Sequence, residues 1–136
     1  MQHHHIAGTF DVKLTLQAPA SAIAGASLSR QTLDKTFHGD LSATSLGEML
    51  AAMTEVKGSA GYVAIERVTG TLQGKKGSFV LMHTGVMNRG APELTVQVVP
   101  DSGTGELLGI TGQMGIQITD GEHFYTFDFV LPWPEK

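Results

Sequence analysis

Alternation of apolar and polar residues with a period of two is the feature that most restricts the fold of this chain. Over residues 6–16, inward-type side chains such as Ile6, Phe10 and Leu14 alternate with outward-type residues such as Asp11. This pattern predicts a β-strand with one buried face. Similar segments recur between short turn sequences. The predicted strands are 6–16, 28–39, 42–54, 61–72, 78–87, 93–99, 112–119 and 122–131.

Short turns separate most of these strands. Gly39-Asp40 and Asp120-Gly121 are two-residue hairpin signals, because glycine reaches a positive φ at little cost. The small and unpatterned segment 18–27 is the longest connection, and it could cover one mouth of a barrel.

Three segments are less clear. Residues 46–53 could equally form a short helix by propensity, although we favour a strand. One helical turn is expected at 106–108, and residues 1–5 are expected to be frayed.

Eight strands joined by short loops predict an antiparallel meander. An open sheet of that size would leave two unpaired edges, so closure is the simplest arrangement. The chain has 17 glycines, some of them inside the predicted strands, where glycine is typical of bends and close backbone approach. The prediction is therefore an all-β fold: one closed eight-stranded barrel domain, lipocalin-like in appearance, over residues 1–136.

Composition excludes several classes of function. The formal net charge is −4 with only nine Lys and Arg, so the basic stripe of a nucleic-acid-binding protein is missing. The absence of cysteine excludes disulfides, thiolate metal sites and cysteine nucleophiles. Residues 1–6 lack the basic start and the apolar run that are typical of a signal peptide, and no stretch approaches 18 apolar residues. We expect a soluble cytoplasmic protein with no cofactor and no membrane partner.

Three segments also resemble a known family. These are KTFHGDL at 35–41, YVAIERVTGTLQGKKGSFVLMHTG at 62–85 and VVPDSGTGEL at 98–107, and the likeness extends from about Gly8 to Phe129. They are similar to an uncharacterised bacterial family whose members are eight-stranded barrels of the allene oxide cyclase-like type. The resemblance implies the fold and carries no activity, because a shared barrel does not transfer chemistry.

The candidate site comes from the hairpin between the fourth and fifth strands. A turn centred on 74–75 places Glu66 opposite His83, and a loop over 74–77 makes them diagonal neighbours; in both registers they share one face. Tyr62 and Phe79 would lie on the same apolar face. A carboxylate beside an imidazole can orient a ligand or move a proton. The alternative is a structural hydrogen bond between two buried polar groups.

Other candidates have simpler explanations. The triplet 3–5 of histidines has a metal-binding composition, but we expect no metal site there. His38 and His123 lie beside predicted turns and are expected to be solvated. Glu48 and Asp128 could add carboxylates to a pocket.

The opposite face of the same hairpin is also largely apolar. Val63, Ile65, Val80, Met82 and Val86 would lie on the outside of the barrel, where a patch of this size implies a partner. We expect a homo-oligomer, most simply a two-fold dimer. The alternative is that the N-terminal segment or 18–27 covers this wall.

The leading functional hypothesis is a barrel that binds a small apolar or amphipathic molecule, oriented by Glu66, His83 and Tyr62, with Phe79 on the same face. The first alternative is an enzyme of the isomerase or cyclase type that uses the Glu-His pair for proton transfer. The second is a packed barrel without a ligand, which serves as a structural or interaction module. Small eight-stranded barrels admit either side chains or one small ligand, so the volume of the cavity discriminates among these hypotheses.

Overall fold

Nine β-strands account for most of the residues that the structure describes, which are residues 2–17 and 27–132 of this computed structural model. The strands are β1 (Gln2–Gln17), β2 (Ser27–His38), β3 (Leu41–Met53), β4 (Ala60–Leu72), β5 (Lys75–Asn88), β6 (Ala91–Val98), β7 (Thr104–Gly105), β8 (Thr111–Thr119) and β9 (Glu122–Leu131).

Eight long strands close into an antiparallel barrel. Their order around the barrel is β4, β3, β2, β1, β9, β8, β6 and β5, and β5 pairs with β4 to complete the circle. Each long strand therefore lies beside its nearest long neighbours in the chain, as in a meander. The short β7 pairs with the start of β5, at Gly77 and Ser78. The predicted all-β, closed eight-stranded fold is confirmed, and β7 is an addition that the alternation did not predict.

Two-residue turns set the register of three hairpins. Leu72 pairs with Lys75, so Gln73 and Gly74 form the turn between β4 and β5, both at positive φ. Asp120-Gly121 has the same geometry, as predicted, and so does Arg89-Gly90. Positive φ at both central residues matches the right-handed twist of the flanking strands. Both predicted registers of the β4–β5 hairpin are wrong, because Gln73 accepts the left-handed conformation and the turn begins earlier.

Three local expectations are resolved by the strand pairings. Residues 46–53 belong to β3 and not to a helix. The expected fraying of 1–5 is wrong for residues 2–5, which begin β1 and pair with β9 as far as Leu131. Residues 106–108 form successive turns, with Leu107 N–H donating to Thr104 O. Residues 18–26 of the predicted long connection lie outside the described residues.

The two ends of the barrel differ in how they are filled. At one end, here called the packed end, the connection between β7 and β8 inserts Leu107 and Ile110 against the inward aromatic residues. At the other, the open end, inward-facing side chains remain exposed, for example Leu16, Met53 and Ile118. The side chains that fill the packed end are Phe37, Leu41, Leu72, Phe79, Leu107, Ile110, Phe127 and Phe129. No helix in the described part of the chain is long and apolar enough to cross a membrane.

Candidate functional site

Four polar side chains meet inside the barrel, one from each of four adjacent strands. Lys35 of β2, Ser45 of β3, Glu66 of β4 and His83 of β5 form what we call the Glu66 cluster, and all four are buried. Lys35 Nζ lies 2.8 Å and His83 Nε2 lies 2.5 Å from Oε2 of Glu66. Ser45 Oγ donates to Oε1 at 2.6 Å. Both carboxylate oxygens therefore have partners, as a buried charge requires.

The register and one glycine make this cluster possible. Glu66 pairs with Gly47 on β3, and Gly47 pairs with Leu33 on β2. A Cβ at Gly47 would lie 2.1 Å from Ile65 O and 2.8 Å from Glu66 Cβ. Because position 47 has no side chain, β3 approaches β4 closely and leaves the carboxylate free to reach Lys35, two strands away.

The cluster holds Glu66 as an anion. Burial alone would raise its pKa, but the hydrogen bond from His83, the charge and hydrogen bond of Lys35 and the hydrogen bond from Ser45 together lower the pKa to about 2. An ionised carboxylate only accepts hydrogen bonds, so Nε2 of His83 carries the proton. The Lys35 ammonium also lies over the Phe10 ring, 4.9 Å from its centroid.

The second ring nitrogen of His83, Nδ1, does not take part in the cluster. Nδ1 makes no hydrogen bond within the described part of the chain. In that part of the chain, every fully buried side-chain nitrogen or oxygen has a hydrogen-bond partner. Nδ1 therefore keeps some contact with accessible space, even though His83 as a whole is buried.

Above the cluster, the open end of the barrel contains a cavity of about 440 Å³, here called the inner cavity. Its inward-facing lining is apolar apart from Tyr62, and three methionines contribute to it. Tyr62 lies between this cavity and the cluster, with its ring centroid 6.5 Å from that of His83. The residues that line the inner cavity are Met49, Ala51, Met53, Ala60, Gly61, Tyr62, Gly85, Val86, Met87, Pro92, Glu93, Leu94 and Ile118.

The four residues predicted for the site lie at three different heights along the barrel axis. Tyr62 lines the inner cavity. Glu66 and His83 share the inward face and contact each other, but they lie beneath the cavity and do not line it. Phe79 is buried at the packed end, stacked on Phe127 with centroids 5.6 Å apart. It shares the predicted face but does not line the inner cavity.

Sequence reasoning missed two members of the cluster. Lys35 follows the inward alternation of Leu33 and Phe37, and Ser45 follows that of Leu41 and Ala43. A lysine at an inward position of a strand was the available signal, since an uncompensated buried ammonium is too costly to occur. It pointed to an acidic partner in the interior.

The remaining polar candidates lie outside the cavity. Glu48 and Asp128 are exposed on the outer face, where Glu48 pairs with Arg30 and Asp128 with His5. His38 is exposed and bonds to Asp11, as expected for a solvated residue.

Two further histidines pack against aromatic rings. His123 is only half-buried and its ring contacts Phe10, with centroids 5.0 Å apart. His4 stacks on Phe129. Among the residues that the structure describes, no three His, Asp or Glu side chains are grouped to hold a metal ion.

The outside of β3, β4 and β5 is apolar over a wide area, which we call the outer wall. Ile65 is 58% exposed and Leu50 is 52% exposed, and Leu46, Val63 and Val86 are exposed beside them. A groove of about 580 Å³ runs along this wall near the open end, over Leu28, Leu50, Ala52, Val63 and Val86.

Comparison with known proteins places the chain in a family. The family model described as "Protein of unknown function (DUF3224)" matches residues 6–129. The chain belongs to this family. A solved DUF3224 protein of unknown function from Shewanella oneidensis is 53% identical, with 96% of this chain and 98% of that chain covered and a TM-score of 0.91. No curated protein matches the chain. The predicted membership of an uncharacterised bacterial family is thus confirmed, and DUF3224 membership by itself carries no activity.

Proposed function

We propose that this DUF3224 protein binds a small apolar or amphipathic molecule in the inner cavity. The observation that carries the proposal is the cavity itself, about 440 Å³ of space inside a barrel whose other end is filled by side chains. Ligand sites are typically apolar concavities of roughly 300–1,000 Å³ with few polar groups. The inner cavity has this size and character, which favours ligand binding over the packed barrel without a ligand.

The Glu66 cluster supports the proposal as a rigid base beneath the ligand. Its hydrogen bonds tie together β2, β3, β4 and β5, and the last three of these strands contribute much of the cavity wall. Tyr62 would connect a bound ligand to the cluster, because it lines the inner cavity and its ring approaches that of His83.

Two adjacent alanines on β3 provide a test. Ala52 lines the groove on the outer wall and not the inner cavity, whereas Ala51 belongs to the inward face of β3 and lines the inner cavity as well as that groove. We expect the neutral fluorescent probe N-phenyl-1-naphthylamine to bind the native protein, to lose at least tenfold in affinity with Ala51→Phe, and to keep its affinity with Ala52→Phe. Loss of binding only with Ala52→Phe would place the ligand on the outer wall and contradict the proposal.

The isomerase or cyclase alternative uses the same residues differently. It is supported by Nδ1 of His83, which has no partner in the described residues and could exchange a proton with a substrate that displaces Tyr62. This alternative expects Glu66→Gln to abolish turnover of a bound compound while its affinity changes little. Pure binding expects no turnover in either protein.

We also propose that two copies of the chain associate through the outer wall. Where the wall borders β2, Glu48 of β3 pairs with Arg30 of β2, so charges of both signs lie beside the exposed apolar residues. A two-fold axis brings such a patch against itself with opposite charges in reach of each other. The second copy is the occupant that this arrangement favours.

A further inference from the structure

The inner cavity offers a ligand a single inward hydroxyl. Among the lining residues, Tyr62 alone places a polar side chain toward the cavity, since Glu93 alternates with the inward Leu94 on β6. The Tyr62 hydroxyl has no hydrogen-bond partner in the described part of the chain, and it is not fully buried there. It is therefore available to bind a polar group of a ligand.

The Tyr62 ring that carries this hydroxyl presents a flat aromatic surface. The Tyr62 ring lies against Gly85, its pairing partner on β5, and a Cβ at position 85 would lie 2.1 Å from the ring atom Cε1. The absence of a side chain at 85 lets the ring lie across the sheet and not project from it. The ring also approaches His83, with the two ring centroids 6.5 Å apart.

Three thioethers face the same space. Met49 and Met53 of β3 and Met87 of β5 line the inner cavity. Methionine is flexible and polarizable, and its sulfur makes favourable contacts with aromatic rings. Methionines around a tyrosine ring are thus a suitable environment for a planar aromatic ligand.

The charges near the cavity disfavour an anionic ligand. No lysine or arginine belongs to its described lining. The Lys35 ammonium beneath the cavity is engaged by Glu66 and lies over Phe10. Burial and, secondarily, the negative charge of Glu66 raise the pKa of the Tyr62 hydroxyl, and the same conditions oppose a carboxylate placed beside it.

We propose that the preferred ligand is an uncharged aromatic molecule with a hydroxyl group, of the phenol or naphthol class, whose ring lies among the methionines and whose hydroxyl exchanges a hydrogen bond with Tyr62. This inference rests on the proposed function, because it specifies the ligand of the same cavity.

Three probes of one shape test the inference: 2-naphthol, naphthalene and 2-naphthoate. They are titrated into protein labelled with ¹³C at the methionine methyl groups, where Met49, Met53 and Met87 report the cavity and Met82 on the outer face is the control. We expect 2-naphthol to shift the three cavity methyls and not Met82. It should bind about tenfold more tightly than naphthalene or 2-naphthoate, as one additional hydrogen bond allows.

The variant Tyr62→Phe separates the hydroxyl from the ring. It should reduce the affinity for 2-naphthol to that for naphthalene and leave naphthalene binding unchanged, which also shows that the cavity is intact. Equal or tighter binding of 2-naphthoate, or an unchanged preference for 2-naphthol in Tyr62→Phe, would overturn the inference while the proposed function stands. If none of the three probes shifts a cavity methyl, both the inference and the proposed function are wrong.

Discussion

His83 Nε2 lies 2.5 Å from Oε2 of Glu66, although the two residues are not direct partners in the β4–β5 hairpin. Glu66 pairs with Leu81 and His83 pairs with Ala64, so the contact runs diagonally across two positions of the sheet. Lys35 approaches the same carboxylate oxygen from β2. The interior of this apolar barrel is therefore organised around one anion, and most of the predictions below depend on it.

Removal of Lys35 should leave that anion without its cation. We expect Lys35→Met to lower the free energy of unfolding by about 3–5 kcal/mol, because both partners of the ion pair are buried. The double variant Lys35→Met with Glu66→Gln should recover much of this loss, since it removes the uncompensated charge. Urea unfolding of the four proteins gives the coupling energy. Additive effects of the two substitutions would show that the pair is not coupled.

Low pH should lower the stability of the folded protein, because Glu66 becomes protonated. Its pKa is about 2 when folded against 4.5 as the ordinary value, so between these values the unfolded chain binds more protons than the folded one. The stabilisation is complete above about pH 4.5 and is lost as the pH falls through about 2, with a total of about 3 kcal/mol. Stability measured by urea unfolding from pH 6 to pH 2 should fall more steeply for the native protein than for Glu66→Gln. Parallel pH curves for the two proteins would mean that Glu66 titrates normally.

Close approach of β3 to β4 at Gly47 can be tested with a matched glycine. A Cβ at Gly47 would lie 2.1 Å from a backbone oxygen, whereas a Cβ at Gly61 on β4 would lie at an ordinary 3.7 Å from Gly85 O. We expect Gly47→Ala to cost at least about 2 kcal/mol and Gly61→Ala less than about 1 kcal/mol in urea unfolding. Equal costs would indicate that backbone contact at Gly47 does not hold Glu66 in place.

Self-association through the outer wall predicts a charge-sensitive dimer. Ile65→Lys introduces a cation at the centre of the wall, and Thr126→Lys introduces one on β9, across the barrel from β4. Sedimentation at micromolar concentration should show a dimer for the native protein and for Thr126→Lys, and a monomer for Ile65→Lys. A native monomer, or dimers of all three proteins, would exclude this interface.

Much of the fold could be predicted from the sequence because the period of two survives uncertainty in the turns. In an antiparallel hairpin the numbers of two paired residues add up to the same sum along both strands. The sums for the two predicted registers of the β4–β5 hairpin differ from the observed sum by an even number. Glu66 and His83 share a face in all of them, so parity was sufficient to bring them together.

The level of a residue along the barrel axis is not encoded in the alternation. Phe79 shares a face with Tyr62 but lies at the packed end, because the irregular connection that contributes Leu107 and Ile110 fills that end. The pattern of strands carries no information on such a connection. Lys35 was missed for a different reason: a lysine within a strand is usually solvated, and only its place between Leu33 and Phe37 marked it as inward. The likeness to allene oxide cyclases stays a prediction.

The central claim is that the inner cavity at the open end holds the ligand, and a crystal structure of the protein soaked with N-phenyl-1-naphthylamine tests it most directly. We expect density for the probe inside the barrel, bounded by Met49, Tyr62 and Met87, with the Glu66 cluster unchanged beneath it. Density in the groove of the outer wall between Leu50 and Val63, with the inner cavity closed by the methionine side chains, would contradict the claim.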